Sequence, residues 1–589
     1  MAQTQHADWV SDLADRVVAE GARRAPGRPI VCASGISPSG PIHLGNLREI
    51  MVPHLVADEI RRRGLPCRHL FSWDDYDRLR KVPAELPASF AEHIGRPLTS
   101  VPDPYGCHQS WAEHFKEPFR RALAEIGVAV EEISQTLMYE SGAYRDQILT
   151  AMRQRAAIDA VLGRYRTAQP TAADEPGGPG YYPYRPYCAT CGRDSTTITS
   201  YDDETTKLGY TCSFGHAGCF ELAERARGKL AWKVDWPMRW AYEGVTMEPA
   251  GVDHSSPGSS FTVGSHLVRE VFGGEAPYYL QYSFVGTPGA AKMSGSSGGA
   301  PTPADALGIL EAPILRWLYA RRKPNQAITV AFDHEVGRLY DEWDALSRRV
   351  AAGTAKASDA AAHARSVATT VAVLPRTPRP LPFRTLASVV DITAGDEGQM
   401  LRILRDLADD SAEAGGGREA GGAAEAGGAG EAGGAGEAGG AGGAGGGPVS
   451  GLDEFRPRLD RAGTWVTEFM PAEERTQVRA EPDAERLAAL TEAQRRSIEI
   501  LLDGLDQHWS LPALTALLYG VPKLRSGLPM DAPPSPELKV AQREFFALLY
   551  QLLVGRDTGP RLPTLLLSLG RNRIRTLLPV QSTSQSNPA

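Results

Sequence analysis

A glycine-rich corner between a strand and a helix is the feature that most constrains the fold of this 589-residue chain. The apolar segment "PIVCA" runs into "SGISPSGPIHLGNLREI" (residues 34–50, the first signature), and helix-favouring residues continue to about Arg63. A second apolar run, "PCRHLFSW", then follows. Strand, helix and strand in this order predict a parallel α/β sheet. Such a corner gathers backbone N–H groups and the positive end of a helix dipole at the carboxyl edge of the sheet, where phosphates bind.

His43 and Asn46 stand where the predicted helix begins. A histidine at this place can donate a hydrogen bond to a phosphate oxygen while negative charge builds up on it. Gly40 and Gly45 leave room for a nucleotide against the backbone. The corner matches neither the Walker loop nor GxGxxG. Taken alone, it is equally well explained as a tight turn with a capping asparagine and an incidental surface histidine.

A second glycine-rich loop follows an apolar strand much further along the chain, in "FVGTPGAAKMSGSSGG" (residues 284–299, the second signature). Lys292 can neutralise the phosphates of a triphosphate, and Ser294 and Ser296 can add hydrogen-bond donors. The glycines would let the loop close only when substrate is bound. A lone K-M-S has little weight, but H-x-G-N followed by K-M-S-x-S, both at strand ends, is far more specific.

With both signatures, the chain resembles the class I aminoacyl-tRNA synthetases and, more narrowly, the class I lysyl-tRNA synthetases. The resemblance also rests on "SWDDYDRLRKVP", "PDPYGCHQSWAEHF", "KVDWPMRW", "GVDHSSPGSSF" and "LLVGRDTGPRLPTLLLSLG". It implies catalytic roles for His43, Asn46 and Lys292. The ATP contacts that it implies are Pro38, Ser39, Gly40, His43, Gly45, Asn46, Lys292, Met293, Ser294 and Ser296. One position departs from the family, because Gly295 stands where many relatives carry a second lysine.

The implied architecture is α/β: a Rossmann-type parallel-sheet catalytic domain with a zinc-bearing insertion, followed by an all-α anticodon-binding region. The hydrophobic and charge patterns divide the chain in the same way. Residues 412–450 are Gly/Ala repeats with scattered glutamates, which cannot offset their ordering entropy by apolar burial. The predicted segments are 1–95 (first half of the catalytic domain), 96–230 (zinc-binding insertion), 231–303 (second half, with the second signature), 304–411 (helical connecting region), 412–450 (flexible linker) and 451–589 (α-helical anticodon-binding domain).

Cysteines and histidines form two clusters inside the insertion. Cys188-x2-Cys191-x20-Cys212-x3-His216 has zinc-finger-like spacing, although buried unligated cysteines remain an alternative. Cys219 competes for the fourth position. The resemblance favours His216, since it places a Cys-x3-His there.

The second cluster, Asp103, Cys107, His108 and His114, offers ligand types that suit zinc. The residues alone do not separate a metal site from surface histidines, but the resemblance implies zinc here too. Each cluster supplies four ligands, so we expect two structural Zn²⁺ ions with no open position.

The resemblance also assigns an amino-acid site. It puts Gly35 and Ser37 beside the backbone of the amino acid and Trp240 against its side chain. Asp253 and His254 line the same cavity. A carboxylate or an aromatic face can hold the cationic tip of a side chain, so Asp75 and Asp77 are further candidates for the amino-acid site. The alternatives are that these two acids lie in a solvated loop and that Trp240 packs in the core.

The implied function is a lysine–tRNA ligase that uses ATP and Mg²⁺, forms lysyl-adenylate and transfers the lysyl group to tRNA(Lys). Arginines in "GRDTGPRLPTLLLSLGRNRIRTLL" can pair with RNA phosphates or stack on unpaired bases. A net charge of −8 excludes bulk electrostatic capture of nucleic acid but not a local basic groove. The alternatives are another class I synthetase, such as one for glutamate, a small nucleotidyltransferase, and an inactive synthetase-derived zinc and RNA-binding protein.

The sequence also bears on where the protein is located and how it assembles. No apolar run reaches the ~18 residues of a membrane span. The N-terminal residues place Trp9, Leu13 and Val17 four apart among acids, which predicts an amphipathic helix and not a signal peptide. We therefore expect a cytoplasmic protein that does not bind membranes. We also expect it to work as a monomer.

Overall fold

The computed structural model describes residues 8–83, 86–165, 180–254, 258–290, 293, 299–367, 381–414 and 449–579, without the side chains of residues 253 and 409–414. Lys292, Ser294, Gly295, Ser296 and most of the predicted linker therefore lie outside the described residues.

The strands are β1 (Ile30–Ile36), β2 (Cys67–Trp73), β3 (Glu131–Ser134), β4 (Tyr184–Pro186), β5 (Thr196–Tyr201), β6 (Lys207–Cys212), β7 (Ala217–Glu221), β8 (Gly228–Leu230), β9 (Met247–Gly251), β10 (Tyr278–Tyr282), β11 (Val285–Gly286) and β12 (Ile328–Thr329). The α-helices are α1 (Trp9–Arg24), α2 (Leu44–Arg62), α3 (Trp111–Glu125), α4 (Gln135–Glu140), α5 (Arg145–Arg153), α6 (Arg155–Gly163), α7 (Trp232–Glu243), α8 (Ser260–Glu270), α9 (Pro303–Ile309), α10 (Ala312–Ala320), α11 (Glu335–Ala351), α12 (Ala357–Val367), α13 (Phe383–Thr393), α14 (Glu397–Ala414), α15 (Arg458–Glu468), α16 (Ala484–Ala488), α17 (Glu492–Gly504), α18 (Leu511–Arg525), α19 (Pro536–Val554), α20 (Leu562–Leu569) and α21 (Arg571–Leu577).

These elements fall into two compact units. The first comprises Met1–Ala331 and Gly353–Ala372, and it contains every strand named above together with α1 to α10 and α12. The second comprises Phe332–Ala352 and Val373–Ala589, and its described residues form helices α11 and α13 to α21 without a strand. The prediction of an α/β region followed by an all-helical one is confirmed.

The central sheet of the first unit has five strands in the order β10-β9-β1-β2-β3. Every neighbouring pair in it is parallel. The predicted parallel sheet is thus confirmed, with β1 between β2 and β9. β3 lies within the residues predicted as the insertion, yet it extends this sheet by pairing with β2.

Side chains of β1 alternate between two buried layers, as expected for a strand covered on both faces. Ile30 and Cys32 pack with α1 and α2 in one hydrophobic cluster. Val31 and Ala33 pack on the other face with residues of α7 and α8. The predicted N-terminal amphipathic helix is α1, and its Leu13 and Val17 are buried.

Strands β5, β6 and β7 form a separate antiparallel ribbon. Strands β4 and β8, which flank this ribbon in the sequence, pair with each other. Of the first cysteine cluster, Cys212 ends β6 and His216 lies in the turn before β7, whereas Cys188 and Cys191 lie between β4 and β5. Among the described helices, none is long and apolar enough to cross a membrane.

Candidate active site

The first signature forms the expected corner between β1 and α2. His43 is the residue immediately before α2, and its extended backbone (ψ 170°) ends the loop. The Asn46 side-chain oxygen accepts a hydrogen bond from the His43 backbone N–H at 3.2 Å, which satisfies one group at the helix start. His43 is half-buried, so its imidazole is held at the N-terminus of α2, where anions are stabilised.

Gly45 is required by the imidazole of His43. A Cβ on Gly45 would lie 2.8 Å from both Cε1 and Nδ1 of that ring, closer than side-chain atoms approach one another. By contrast, a Cβ on Gly40 would meet no protein atom within 4 Å. The glycine of H-x-G-N therefore makes space for the histidine two residues before it.

The second signature returns to the same corner. A Cβ on Gly45 would lie only 3.8 Å from Cβ of Met293, which is itself buried. The Met293 N–H donates to the Val285 carbonyl at 3.1 Å, and the Leu44 N–H at the start of α2 donates to the Pro301 carbonyl at 2.9 Å. The structure thus brings the two predicted ATP segments together through Met293, while Lys292, Ser294 and Ser296 are not described.

A cavity opens beside this corner, at the carboxyl ends of β1, β2 and β9. Parallel sheets bind ligands at this edge. The cavity is lined by Gly35, Glu49, Asp74, Trp232, Trp236, Arg239, Glu248, Ala250, Gly251 and His254. Of the predicted amino-acid residues, Gly35 and His254 lie in this lining, whereas Ser37, half-buried in the corner, does not.

Three carboxyl groups and one guanidinium line the cavity. Arg239 donates from Nη1 to Oδ1 of Asp74 at 2.8 Å. Glu49 accepts from the Gly35 N–H at 3.4 Å and from the Tyr282 hydroxyl at 3.2 Å. Desolvation, together with the neighbouring Glu248 charge, raises the pKa of Glu49 to about 8. Desolvation also raises the pKa values of Asp74 and Glu248.

Trp240 lies behind the cavity wall. Its side chain is 1 % exposed, and its indole N–H donates to Oε2 of Glu248 at 2.6 Å. It therefore orients a cavity carboxylate instead of lining the cavity itself. Trp236, one helical turn earlier, lies with its ring centroid 4.7 Å from that of Trp240 and does line the cavity.

Asp75 and Asp77 are engaged outside the cavity. Asp75 is fully buried and pairs with Nζ of Lys116 at 2.7 Å, and it also accepts a hydrogen bond from the Thr136 backbone N–H at 2.8 Å. Asp77 pairs with Lys229. The side chain of Asp253, the other predicted acid, lies outside the described residues.

Sequence reasoning missed most of the cavity wall, although signals for it were present. Glu248 is a charged residue in the fully buried strand β9, and a carboxyl group in a buried apolar run indicates either a paired group or a functional site. Trp232, Trp236 and Arg239 are four and three residues apart in α7, so they share one helix face.

The first metal cluster is assembled as predicted. One ligand atom from each of Cys188, Cys191, Cys212 and His216 lies within 4.8 Å of the others. Although desolvation opposes it, hydrogen bonds from the backbone N–H groups of Cys191 and Thr190 lower the pKa of Cys188 to about 7. Cys219 is exposed on β7, outside this group.

The second metal cluster is assembled as well. Asp103, Cys107 and His108 lie in the loop before α3, and His114 lies in its first turn. Their ligand atoms also lie within 4.8 Å of one another. Nδ1 of His114 is 3.1 Å from Oδ1 of Asp103 and 3.3 Å from Sγ of Cys107.

Comparisons with known proteins agree with this geometry. Residues 7–371 match the family described as tRNA synthetases class I (K). The chain is 56 % identical to a lysine–tRNA ligase of Streptomyces coelicolor, with 98 % of each chain covered. It is 31 % identical to a lysine–tRNA ligase of Pyrococcus horikoshii, covering 96 % of this chain and 98 % of that one.

Among solved structures, a glutamate tRNA ligase from Elizabethkingia meningosepticum covers 94 % of this chain and 99 % of its own, at 13 % identity and a TM-score of 0.41. That likeness is too distant to bear on the substrate. The family match covers most of the chain, and the full-length relatives exceed 30 % identity. The chain therefore belongs to the class I (K) family of tRNA synthetases.

Proposed function

We propose that this protein is a lysine–tRNA ligase, which joins lysine to ATP as lysyl-adenylate and then transfers the lysyl group to tRNA(Lys). The observation that carries the proposal is the excess of carboxyl groups in the cavity: among its described lining residues, the carboxyl groups of Glu49, Asp74 and Glu248 outnumber the one guanidinium, that of Arg239. An excess of buried carboxyl groups suits a cationic amino acid. The relatives described as lysine–tRNA ligases support the same substrate.

The cavity offers two kinds of partner for the lysine ammonium. Glu49 and Glu248 can accept charge-assisted hydrogen bonds, which are roughly twice as strong as neutral ones. Trp232 and Trp236 stack at a centroid distance of 5.4 Å and both line the cavity, so an aromatic ring is the second kind of partner. Gly35 lines the same cavity, and in this proposal it lies beside the main chain of the amino acid.

In the first step, a carboxylate oxygen of lysine forms a bond to the α-phosphorus of ATP. The bond from that phosphorus to the oxygen bridging to the β-phosphate breaks, and the electron pair leaves with pyrophosphate. His43 and the N-terminus of α2 stabilise the negative charge on the phosphate oxygens, and Asn46 fixes the helix start. Lys292, Ser294 and Ser296 add charge and donors from the second signature. Mg²⁺ bound to the incoming ATP would neutralise part of the triphosphate charge.

The nucleotide lies along the first signature in this proposal. Pro38, Ser39 and Gly40 form the loop between β1 and α2, and the open space at Gly40 leaves its backbone accessible to ATP. Gly45 serves the nucleotide indirectly, by making room for His43. In the second step, a hydroxyl of the terminal tRNA ribose attacks the lysyl carbonyl and AMP leaves.

Both metal clusters fit structural zinc. Each supplies four side-chain ligands of the types that Zn²⁺ prefers, which leaves no position for substrate. Cys188, Cys191, Cys212 and His216 would hold one ion and so fix the ribbon of β5 to β7. Asp103, Cys107, His108 and His114 would hold the other and so fix the loop that enters α3.

The remaining sequence expectations belong to the same proposal. The helical second unit would bind the anticodon, and residues 96–230 would form the zinc-bearing insertion. The other domain boundaries predicted from the sequence remain part of the proposal. The protein would act as a monomer in the cytoplasm, where its tRNA is charged.

Amino-acid-dependent exchange of pyrophosphate into ATP tests this function. We expect exchange with lysine and steep discrimination, on the order of 10³ or more, against norleucine, because an uncharged tip would leave buried carboxylates unpaired. The assay runs with and without tRNA, on each amino acid in turn. Preference for glutamate, or nearly equal use of norleucine, would refute the lysine assignment.

A further inference from the structure

A row of alternating charges runs from the cavity into the interior of the first unit. It consists of Asp74, Arg239, Asp235, Lys229 and Asp77, and it joins the end of β2, helix α7 and strand β8. Only Asp74 and Arg239 line the cavity. The other three therefore act on a ligand only through their neighbours.

Asp235 is the central member of this row. Its side chain is fully buried, and its Oδ1 accepts a hydrogen bond from the Tyr139 hydroxyl. Oδ2 lies 3.2 Å from Nη2 of Arg239 and 3.7 Å from Nζ of Lys229, within ion-pair distance. Because a buried carboxylate is costly unless it is paired, these two cations offset the cost of burying Asp235.

Arg239 presents a difficulty for a site that takes lysine. A guanidinium in a cavity wall attracts carboxylates and repels an ammonium. Here, however, it is flanked by two carboxylates, Asp74 at 2.8 Å and Asp235 at 3.2 Å. With both in place, two carboxylates compensate the charge of Arg239.

We propose that Asp235 is a specificity-determining positioning residue: it holds and compensates Arg239, and thereby keeps Glu49 and Glu248 available for a cationic amino acid. Without Asp235, Arg239 would turn to Glu248, which already lies within its electrostatic reach. The cavity would then lose one partner for the ammonium. This inference rests on the proposed function, since it explains how that site selects a cation.

The variant Asp235→Asn tests the inference, because it removes the charge and keeps the shape. Losing one charge-assisted partner lowers binding about tenfold or more. We therefore expect kcat/KM for lysine in pyrophosphate exchange to fall about tenfold or more, while kcat/KM for norleucine stays within about threefold. A purely structural role would lower both alike and leave their ratio unchanged, which would overturn the inference.

A double variant tests whether Asp235 acts through Arg239. In Asp235→Asn/Arg239→Met, no guanidinium remains to occupy Glu248, so the lysine-to-norleucine ratio should return to within about threefold of wild type. Replacing both members of a buried ion pair is also often tolerated when removal of one is not. The double variant therefore keeps the inference open to refutation even if Asp235→Asn fails to fold. A ratio still tenfold below wild type would overturn the inference.

Asp75→Asn is the matched control. Asp75 is equally buried and ion-paired, with Lys116, but it lies outside the cavity lining. It should lower the melting temperature without moving the ratio. The wild-type protein separates the two proposals: if it prefers glutamate the proposed function fails, whereas a lysine preference that Asp235→Asn leaves intact refutes only this inference.

Discussion

Gly45→Ala should abolish most of the adenylate-forming activity without unfolding the protein. The added methyl group would lie 2.8 Å from Cε1 and Nδ1 of the His43 ring, so the imidazole must move. The backbone gains from the change, since alanine in a helix is favoured over glycine by roughly 0.5–1 kcal/mol. We expect a melting temperature that is unchanged or slightly higher. The rate should fall by about 10²–10³, the usual cost of losing one transition-state donor.

Pre-steady-state formation of lysyl-adenylate is the assay, with thermal unfolding measured on the same samples. His43→Ala should show the same loss, and combining it with Gly45→Ala should add little, because both changes remove one group. Gly163→Ala is the control, since a Cβ at that helical position meets nothing within 4 Å. Full activity of Gly45→Ala would refute the role assigned to His43, and so would a double variant whose losses multiply.

Three further predictions concern the metals, the cavity and the Gly/Ala tract. Purified protein should contain close to two equivalents of zinc by elemental analysis. Cys188→Ser should remove one equivalent, whereas Cys219→Ser, at an exposed position outside the cluster, should remove none. Wild-type protein without zinc would contradict both sites. Because the pKa of Glu49 is raised to about 8, its carboxyl is mainly protonated at pH 7 and must lose the proton to pair with an ammonium. KM for lysine should therefore fall as pH rises from about 6 to about 8 and level off above pH 8. Glu49→Gln should abolish this trend, and a flat wild-type profile would contradict the prediction. Deleting residues 416–440 should leave tRNA charging and melting temperature nearly unchanged, because longer Gly/Ala tracts cost little closure entropy; loss of charging with normal adenylate formation would show that the tract has another role.

The sheet was predictable where its signals are local. The apolar run that became β1 and the corner after it identify a buried parallel strand and the start of α2 within a few residues. The position of β9 beside β1 was not predictable. Cys32 of β1 and Met247 of β9 pair across more than two hundred intervening positions, and neither segment carries a signal that identifies the other. The residues of β3 were expected in the insertion for the same reason, since cysteine and histidine content says nothing about pairing.

The site divides in the same manner. Residues whose role depends on backbone shape, such as His43 and Gly45, were identifiable from their spacing. The residues of the cavity wall were not identifiable from the sequence, because neighbouring residues at the end of β2 lie in different environments. Asp74 lines the cavity, whereas Asp75 is buried against Lys116. Identical side chains one position apart differ only in the direction that the backbone gives them, which composition does not reveal.

The central place of β1 has a consequence for how this protein is made. Its neighbour β9 ends at Gly251, and the Met293 and Pro301 contacts that complete the corner come later still. A ribosome therefore releases the first signature long before the strands and loop that surround it, and chains that fold during synthesis do so from the N-terminus. Until about half of the chain has emerged, β1 has one open edge, and the corner proposed to bind ATP is incomplete.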